Sequence, residues 1–463
     1  MKEKLYNITL LFIFVAGIVL RLYLYLKNQT LWYDEAALAE NILSKSYFEL
    51  FKGLDFLQAA PACFNIMVKA FYDFCHPQNA FSRDLVLRFI PFVSGILSLP
   101  VFYYLTKYIF DNNKKYILIA MALLAFNPCA ILYSAQLKQY STEMLCAIGL
   151  LLVFYKMVVQ NNYKWKYSII IAICPWFSYS SFFIIAGGFC SGLLKNWKKC
   201  LLYFLPVVIS CIIYYFLSLK SVFSVNYSGM DDFWSQGYAF IEPTHPLRLL
   251  IRIGELYVIE KPLAIIVGGL IVFAIIRLKK LLFILPFVFA VIASALHKYP
   301  FIARLILFLL PIFIIALTSL KGKIGILSKT IIALITVFFF FNFNYFYEII
   351  TYSYARETVG YLVKNIKQND IIIMDTSFAD YDFYLRDYKI DNKIIRTPEI
   401  CAEKTLDSCV DFINELPSGN YYFLSSSTWV DEIMGKTKVV TKNLDLGFKP
   451  KKEKVVYFEK YDY

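Results

Sequence analysis

Charged side chains are scarce in this sequence. Asp, Glu, Lys and Arg make up 17% of the 463 residues, whereas hydrophobic residues make up 59% and aromatic residues 18%. A soluble domain usually has about 45–50% apolar and about 25% charged residues. The polar residues are too few to cover two soluble domains of this combined length. The composition therefore excludes a wholly cytosolic enzyme and predicts a membrane protein.

The usual signatures of metal and redox centres are also missing. Only three His occur, and the ten Cys form no CxxC pair and no Cys/His cluster. Neither a zinc site nor a redox dithiol is therefore predicted. Most Cys lie in apolar runs as small core residues. Cys401 and Cys409 lie in the polar tail, residues 350–463. They could form a disulfide if the tail faces an oxidising compartment.

The positive charge is confined to one part of the chain. The formal net charge is +13, but residues 350–463 have 16 Lys and Arg against 18 Asp and Glu, so the excess lies in the first 349 residues. Lys-rich breaks between apolar runs are typical of cytoplasmic loops. The remaining cations indicate a site that meets phosphate, and no nucleic-acid partner is expected.

Apolar runs long enough for transmembrane helices fill the chain as far as about Tyr347, and the count is eleven. A membrane helix needs about 20 apolar residues. The first run has no small-residue cleavage site and is expected to remain as a span. The runs are Asn7–Tyr25, Leu85–Lys107, Tyr116–Tyr133, Thr142–Val159, a hairpin within Ser168–Leu194 broken at Pro175 and Gly187-Gly188, Cys200–Leu219, Leu263–Ile276, Leu281–Leu296, Phe301–Leu320 and Ile326–Tyr347.

The distribution of Lys and Arg predicts the orientation. With the N-terminus in the cytoplasm, the Lys-rich breaks all fall on the cytoplasmic side of an inner or plasma membrane. Residues 27–84 and 220–261 then lie outside with the tail. The predicted fold is mainly α: a multi-pass helix bundle over residues 1–349, and a small extracytoplasmic α/β domain over residues 350–463.

The tail reads as α/β because short apolar runs alternate with helix-like stretches such as Arg356–Ile366. It has no Gly-rich phosphate loop and no nucleophile motif. We therefore expect a cap or an acceptor-handling module rather than a second active site. The predicted strands are Ile371–Met374, Tyr421–Leu424, Val439-Val440 and Val455–Phe458.

Two adjacent carboxylates, Asp34 and Glu35, follow Trp32-Tyr33 just beyond the first apolar run. One interpretation is structural: they occupy the first turn of a helix that runs to Leu43, where negative charge meets the positive end of the helix dipole. The other is functional: one carboxylate takes a proton from an acceptor hydroxyl or amine, or binds a divalent cation. The motif alone leaves both open.

Several basic residues lie inside the apolar runs or at their outer ends. Arg21, Arg88 and Arg304 lie within runs, and Lys138 and Lys298 lie in outer turns. A charge that faces lipid costs on the order of 3 kcal/mol or more, so such groups usually face a polar cavity and pair with an anion. Snorkelling to headgroups is the alternative for the two lysines, and Arg21 has the two carboxylates as alternative partners. Acids and cations around one outer hollow would suit a lipid phosphate.

These residues, in this order, resemble the GT-C class of polytopic glycosyltransferases. Members use polyprenyl-phosphate sugars and include protein O-mannosyltransferases and the aminoarabinose transferases that modify lipid A. The resemblance covers the membrane region in order and the tail more loosely. The similar stretches are Arg21 with Trp32-Tyr33-Asp34-Glu35, Gln58-Ala59-Ala60-Pro61, Arg88-Phe89-Ile90-Pro91 with Gly95, Ser134-Ala135-Gln136-Leu137-Lys138-Gln139-Tyr140, and Lys298-Tyr299-Pro300 with Arg304.

The resemblance implies a role for each matched residue. Asp34 is expected to act on the acceptor, assisted by Glu35. Many members have an acid at the position of Gln136, and in some of them that acid helps to hold a metal, so the Gln puts a metal requirement in doubt. If a divalent cation binds, Glu35 and His297 are the candidate ligands. The residues expected at the donor phosphate are Lys138, Tyr140, Arg88, Lys298, Arg304 and Arg21.

The sequence thus predicts an inverting glycosyltransferase that moves a sugar from a polyprenyl-phosphate donor to a protein, lipid or wall-glycan acceptor outside the membrane. A transporter or flippase for a lipid-linked saccharide is the alternative, because it also needs cations in a hollow. Transporters often show two related halves with broken helices at matching positions, and no such repeat is present in this sequence. A third alternative is a non-catalytic scaffold whose tail binds a partner.

Overall fold

The computed structural model describes residues 3–224, 234–235, 238–258, 260–341, 353–374, 379–388, 391–396, 406–425, 440–442 and 454–460. The chain divides into two compact units. We call the first, Met1–Asn28, Asn41–His76 and Leu85–Tyr347, the helical unit. The second, Gln29–Glu40, Pro77–Asp84 and Glu348–Tyr463, is called the sheet unit. Residues 29–40 and 77–84 are therefore grouped with the tail.

Sixteen helices precede the tail in the described residues. Two of these α-helices, α8 and α10, each continue into one turn of π-helix, at Tyr155–Val159 and Tyr215–Leu219. The helices are α1 Glu3–Lys27, α2 Tyr33–Ser44, α3 Ala62–Cys75, α4 Ala80–Leu87, α5 Phe89–Ile109, α6 Lys114–Ala125, α7 Pro128–Leu132, α8 Tyr140–Phe154, α9 Trp165–Ile173, α10 Ser181–Tyr214, α11 Lys220–Ser224, α12 Pro246–Gly254, α13 Lys261–Leu278, α14 Leu281–Ala295, α15 Leu310–Ser319 and α16 Gly322–Phe341.

Five helical stretches in the described part of the chain are long and apolar enough to cross a membrane. They become six if the bent pair Lys114–Ala125 and Pro128–Ala135, with 55° between its members, counts as one span. The chain is therefore a multi-pass membrane protein, as its composition predicts, while the count of eleven is not confirmed. The five are Glu3–Lys27, Ala80–Ile109, Tyr140–Val159, Ser181–Val222 and Lys261–Leu278.

The predicted hairpin within Ser168–Leu194 is half right. The break at Pro175 is confirmed, because α9 ends at Ile173 and α10 begins at Ser181. The break at Gly187-Gly188 was wrong, since both glycines lie inside α10. A Cβ on Gly187 would lie 2.6 Å from Pro286, so the missing side chain serves close helix packing. The irregular residue of α10 is Asn196, with φ −153° and ψ 78°.

The core of the helical unit includes α15, a helix that is almost completely enclosed. In α15 every residue from Leu310 to Thr318 is buried, which accounts for a helix that is apolar all round. Buried side chains of α5 and α8, among them Phe102 and Leu151, belong to the same core.

The sheet unit contains a five-stranded mixed sheet, which confirms the prediction of α/β structure in the tail. Strand β1 (Ile371–Met374) lies parallel to β2 (Ile394–Arg396) and to β3 (Gly419–Ser425). Strand β5 (Lys454–Lys460) is antiparallel to β3 and to β4 (Val440–Lys442). The strand order is β2-β1-β3-β5-β4.

Three helices accompany the sheet: α17 (Ala355–Asn365), α18 (Ala379–Leu385) and α19 (Leu406–Glu415). The first confirms the predicted helix over Arg356–Ile366, and its Val359 and Leu362 are buried. Val439 and Cys401 lie outside the described residues, as does the side chain of Cys409, and their predictions remain open.

Candidate functional site

Lys138 lies at the centre of a polar cluster in the helical unit. It occupies the turn between α7 and α8, where its backbone N–H donates to the carbonyl of Gln136 at 2.8 Å. Only 5% of the residue is exposed, and its ammonium donates to the side-chain oxygen of Gln58 at 2.6 Å. A buried cation in a membrane protein is a functional-site candidate by default.

Two further hydrogen bonds hold the backbone that carries Gln58. The side-chain nitrogen of Gln139 donates to the carbonyl of Ala59 at 3.2 Å, and the hydroxyl of Tyr179 donates to the carbonyl of Ala60 at 3.1 Å. The structure therefore brings together two of the stretches that carry the family resemblance. We call Gln58, Ala59, Ala60, Lys138 and Gln139, with Tyr179, the lysine cluster.

The backbone that leads into Gln58 has an uncommon conformation. Phe56 and Leu57 have φ values of 58° and 52°, in the left-handed region that bulky residues rarely adopt. Such residues cost on the order of 1–3 kcal/mol each and cluster at functional sites. This turn leads directly into Gln58, whose side chain contacts Lys138.

Glu143 was missed by the sequence analysis, because it is a single acid in a run that is otherwise apolar. It lies in the first turn of α8 and is 3% exposed. The Ser180 hydroxyl and the backbone N–H groups of Tyr179 and Ser180 lie near its carboxylate. Because the Tyr179 hydroxyl binds the Ala60 carbonyl, Glu143 lies beside the lysine cluster.

Arg21 is fully buried, and its guanidinium binds backbone carbonyls. It donates to Ala125 and Gly17, both at 2.9 Å, and to Leu124 at 3.4 Å. Ala125 is the last residue of α6, where carbonyls lack partners within the helix and favour a cation. These partners give Arg21 a role in joining α1 to α6, and its contact with a donor phosphate remains a prediction.

Gly95 accounts for the close approach of α5 to Ser134, which lies at the start of the stretch 134–140 that carries Lys138. A Cβ at this position would lie 2.5 Å from the Cβ of Ser134 and 3.6 Å from Cδ of Arg21. The glycine therefore gives the 134–140 stretch its position against α5.

Arg88 is 3% exposed and occupies the position just before α5. Its guanidinium lies 3.4 Å from the side-chain oxygen of Asn28. Nearby, Tyr25 donates to the carbonyl of Leu85 at 2.9 Å and stacks on Phe92 with 4.3 Å between ring centres. The end of α1 and the start of α5 thus hold Arg88 in place.

Lys298 and His297 are both exposed, in contrast to Lys138. The His297 ring stacks on Phe240 with 4.6 Å between centres. The Arg304 guanidinium lies 5.6 Å from the centre of the Trp234 ring, a cation–π distance.

Tyr140 is the first residue of α8 and follows the turn that carries Lys138. It is 5% exposed and packs edge-on against Tyr133, with 5.4 Å between ring centres.

Asp34 and Glu35 occupy the first turn of α2, which confirms the predicted helix. The carbonyl of Trp32 accepts from the backbone N–H groups of Glu35 and Ala36 at 2.8 and 2.9 Å. Glu35 is 1% exposed, whereas Asp34 is half-buried. These residues belong to the sheet unit and the predicted phosphate-binding cations to the helical unit. Their action on one substrate remains a prediction.

No group of three or more His, Cys, Asp or Glu side chains arranged for a metal ion occurs among the described residues. Gln136 is 9% exposed, and its side-chain oxygen has no hydrogen-bond partner in the described part of the chain. The candidate ligands Glu35 and His297 remain predictions.

No protein-family model and no curated protein matches the sequence. Among solved structures, ArnT from Cupriavidus metallidurans bound to undecaprenyl phosphate matches with a TM-score of 0.55 and 10% identity, over 96% of this chain and 97% of that chain. The oligosaccharyltransferase AglB from Archaeoglobus fulgidus, in complex with an inhibitory peptide and a dolichol-phosphate, matches with a TM-score of 0.46 and 12% identity. The match covers 90% of this chain and 69% of that chain. The second likeness is too weak to bear on the fold. The similarity to ArnT shows that this chain has a GT-C-type fold.

Proposed function

We propose that this protein is a membrane glycosyltransferase that transfers a sugar from a polyprenyl-phosphate donor to an acceptor on the outer face, with inversion at the anomeric carbon. The observation that carries the proposal is the buried Lys138 held by Gln58, in a chain whose fold resembles that of ArnT bound to undecaprenyl phosphate. A lipid phosphate is the kind of anion that a buried cation in a membrane protein would receive.

In this mechanism the cations act on the leaving group. Lys138 and Arg88, both nearly fully buried, together with Lys298 and Arg304, offset the negative charge that develops on the departing lipid phosphate. Tyr140 completes the donor site. Charge that is stabilised more strongly in the transition state than in the substrate raises kcat.

The acceptor side is assigned to Asp34. Its carboxylate deprotonates or orients the acceptor hydroxyl or amine, which attacks the anomeric carbon in a single displacement. The half-buried position of Asp34 supports this choice over Glu35, which is 1% exposed and assists. The acceptor belongs to one of three chemical classes: protein, lipid or wall glycan.

The proposal includes a topology. Eleven spans place the N-terminus in the cytoplasm and the tail outside an inner or plasma membrane, because the Lys-rich breaks then all lie in the cytoplasm. Cys-scanning with a membrane-impermeant thiol reagent tests this. Labelling of a Cys in the tail from the cytoplasmic side would contradict the assigned orientation.

The catalytic assignment is tested by Asp34→Asn in vesicles that contain the host's lipid-linked sugars, with release of polyprenyl phosphate as the readout. General-base catalysis contributes about 10²–10⁴-fold, so we expect a loss of at least about 100-fold. Asp73→Asn, which neutralises the carboxylate that accepts from the Tyr47 hydroxyl, is the matched control. Unchanged turnover with folded Asp34→Asn protein would remove Asp34 from the mechanism.

A further inference from the structure

Tyr384 of α18 connects the tail to the backbone just before Asp34 and Glu35, which we call the acidic motif. Its hydroxyl accepts a hydrogen bond from the N–H of Leu31 at 3.0 Å and donates one to the carboxylate of Asp84 at 2.6 Å. Tyr384 is 1% exposed and Leu31 is fully buried. All three residues belong to the sheet unit.

The carboxylate that receives the Tyr384 hydroxyl is itself held firmly. The Asp84 side chain is fully buried and accepts from the Arg356 guanidinium at 2.8 Å. The neighbouring Arg83 pairs with Asp387 at 2.5 Å and lies 4.1 Å from the centre of the Phe383 ring. Asp84 is therefore fixed by both α17 and α18, so the Tyr384 hydroxyl has a rigid acceptor.

A second connection holds the residue before Leu31. The Thr30 hydroxyl donates to the Glu357 carboxylate, which also pairs with Arg356 at 3.0 Å. At the other end of the segment Glu40 pairs with Arg386. Tail residues thus bind the chain on both sides of Asp34 and Glu35.

Such a network is stiff because its members depend on each other. Buried hydrogen bonds to charged groups are stronger than neutral ones, and removal of one member leaves the others unsatisfied. Burial and the negative charge of Asp84 both raise the pKa of Tyr384 well above its ordinary value. The hydroxyl therefore stays protonated and remains the donor to Asp84.

We propose that Tyr384 is a positioning residue for the acidic motif: it fixes the Leu31 backbone and thereby the first turn of α2, so that Asp34 is aimed at the acceptor. The effect on catalysis rests on the proposed function, in which Asp34 acts on the acceptor. The contacts of Tyr384 with Leu31 and Asp84 do not depend on it. This role of Tyr384 gives the tail an indirect part in the reaction, because its residues position Asp34 without touching donor or acceptor.

The test compares Tyr384→Phe with Tyr388→Phe in the full-length protein. Tyr388 lies just beyond α18 with 40% of its surface exposed and serves as the matched control. Hydrogen exchange of a peptide covering residues 29–36 reports positioning without reference to activity. We expect exchange there to rise at least about 5-fold in Tyr384→Phe, with peptides from β1 and β3 unchanged.

Kinetics separates positioning from a purely structural role. We expect kcat for sugar transfer to fall about 10-fold in Tyr384→Phe while the KM for the lipid donor stays within about 2-fold, because the lysine cluster is untouched. Thr30→Val, which removes a single hydroxyl of the same network, is expected to show the same pattern more weakly. It replaces Tyr384→Phe if that variant does not fold.

The outcomes distinguish the two proposals. If the wild-type protein transfers no sugar but exchange in residues 29–36 rises selectively, the proposed function fails and the positioning contact stands. If the wild type transfers sugar and Tyr384→Phe matches Tyr388→Phe in both exchange and kcat, the inference is overturned. A rise in KM with unchanged kcat would also overturn it.

Discussion

The ammonium nitrogen of Lys138 lies 2.6 Å from the side-chain oxygen of Gln58, so a cation from one turn is held by an amide that lies 80 residues earlier in the chain. A neutral amide oxygen can orient an ammonium group without cancelling its charge. This bond therefore fixes the position of the Lys138 ammonium, and the proposed donor site needs a cation at a fixed position.

The contact between Gly95 and Ser134 predicts a specific rescue. Gly95→Ala places a Cβ 2.5 Å from the Ser134 Cβ, and overpacking of this kind usually costs about 1–3 kcal/mol. We expect the thermal unfolding midpoint in detergent to fall, and Ser134→Gly in the same chain to restore most of it. If the loss in the double variant instead equals the sum of the losses in the two single variants, the two positions are not coupled.

The contacts of Arg21 predict that its replacement lowers the stability of the protein rather than its affinity for the donor. Arg21→Gln removes a guanidinium that donates to the Ala125 and Gly17 carbonyls, and hydrogen bonds of a charged group contribute about 1.5–3 kcal/mol each. The unfolding midpoint should fall, while the Kd for undecaprenyl phosphate changes less than about 3-fold. A rise in Kd above about 10-fold with normal stability would instead place Arg21 at the phosphate.

The burial of Asp380 predicts that the sheet unit becomes less stable as pH rises. Burial raises its pKa from 3.8 to about 6, and the charge of Asp382 adds to this, against hydrogen bonds from Ser353 and the Tyr381 backbone. Between about pH 4 and 6 the folded state keeps a proton that the unfolded state has released. The unfolding free energy therefore falls through this range by up to about 3 kcal/mol.

The measurement for Asp380 is the exchange protection of β1, corrected for intrinsic rates, at pH 5 and pH 8. Wild type should lose about 10-fold in protection between these two pH values, because part of the loss of stability has already occurred below pH 5. Asp380→Asn, which cannot ionise, should lose much less. Identical pH dependence in the two proteins would mean that Asp380 does not titrate in this range.

Much of the fold could be predicted because it depends on local patterns. Apolar runs gave the membrane helices, the acidic first turn gave the start of α2, and Pro175 gave the break before α10. The interiors of β1 and β3 were read from short apolar runs. Strand β2 was missed because its three residues show no periodicity.

The errors concern contacts between distant parts of the chain. Gly187 and Gly188 were interpreted as helix breakers, but they lie inside α10 and allow close packing against other helices. Glu143 was missed because an apolar window tolerates one acid. The contact of Leu31 with Tyr384 joins residues 353 apart, and no sequence pattern could indicate that the segment before α2 is held by the tail.

Donor recognition by Lys138 is tested most directly by mass spectrometry of lipid that co-purifies with the protein. Wild type and Lys138→Gln are compared, with Lys52→Gln as the control, because Lys52 is exposed and lies over the Phe48 ring. The proposed function predicts polyprenyl phosphate or its sugar ester on wild type and Lys52→Gln, and at least about 10-fold less on Lys138→Gln, since one lost charge-assisted contact in a buried site is worth a factor of this order. Equal amounts of this lipid on all three proteins, or none on wild type, would contradict it.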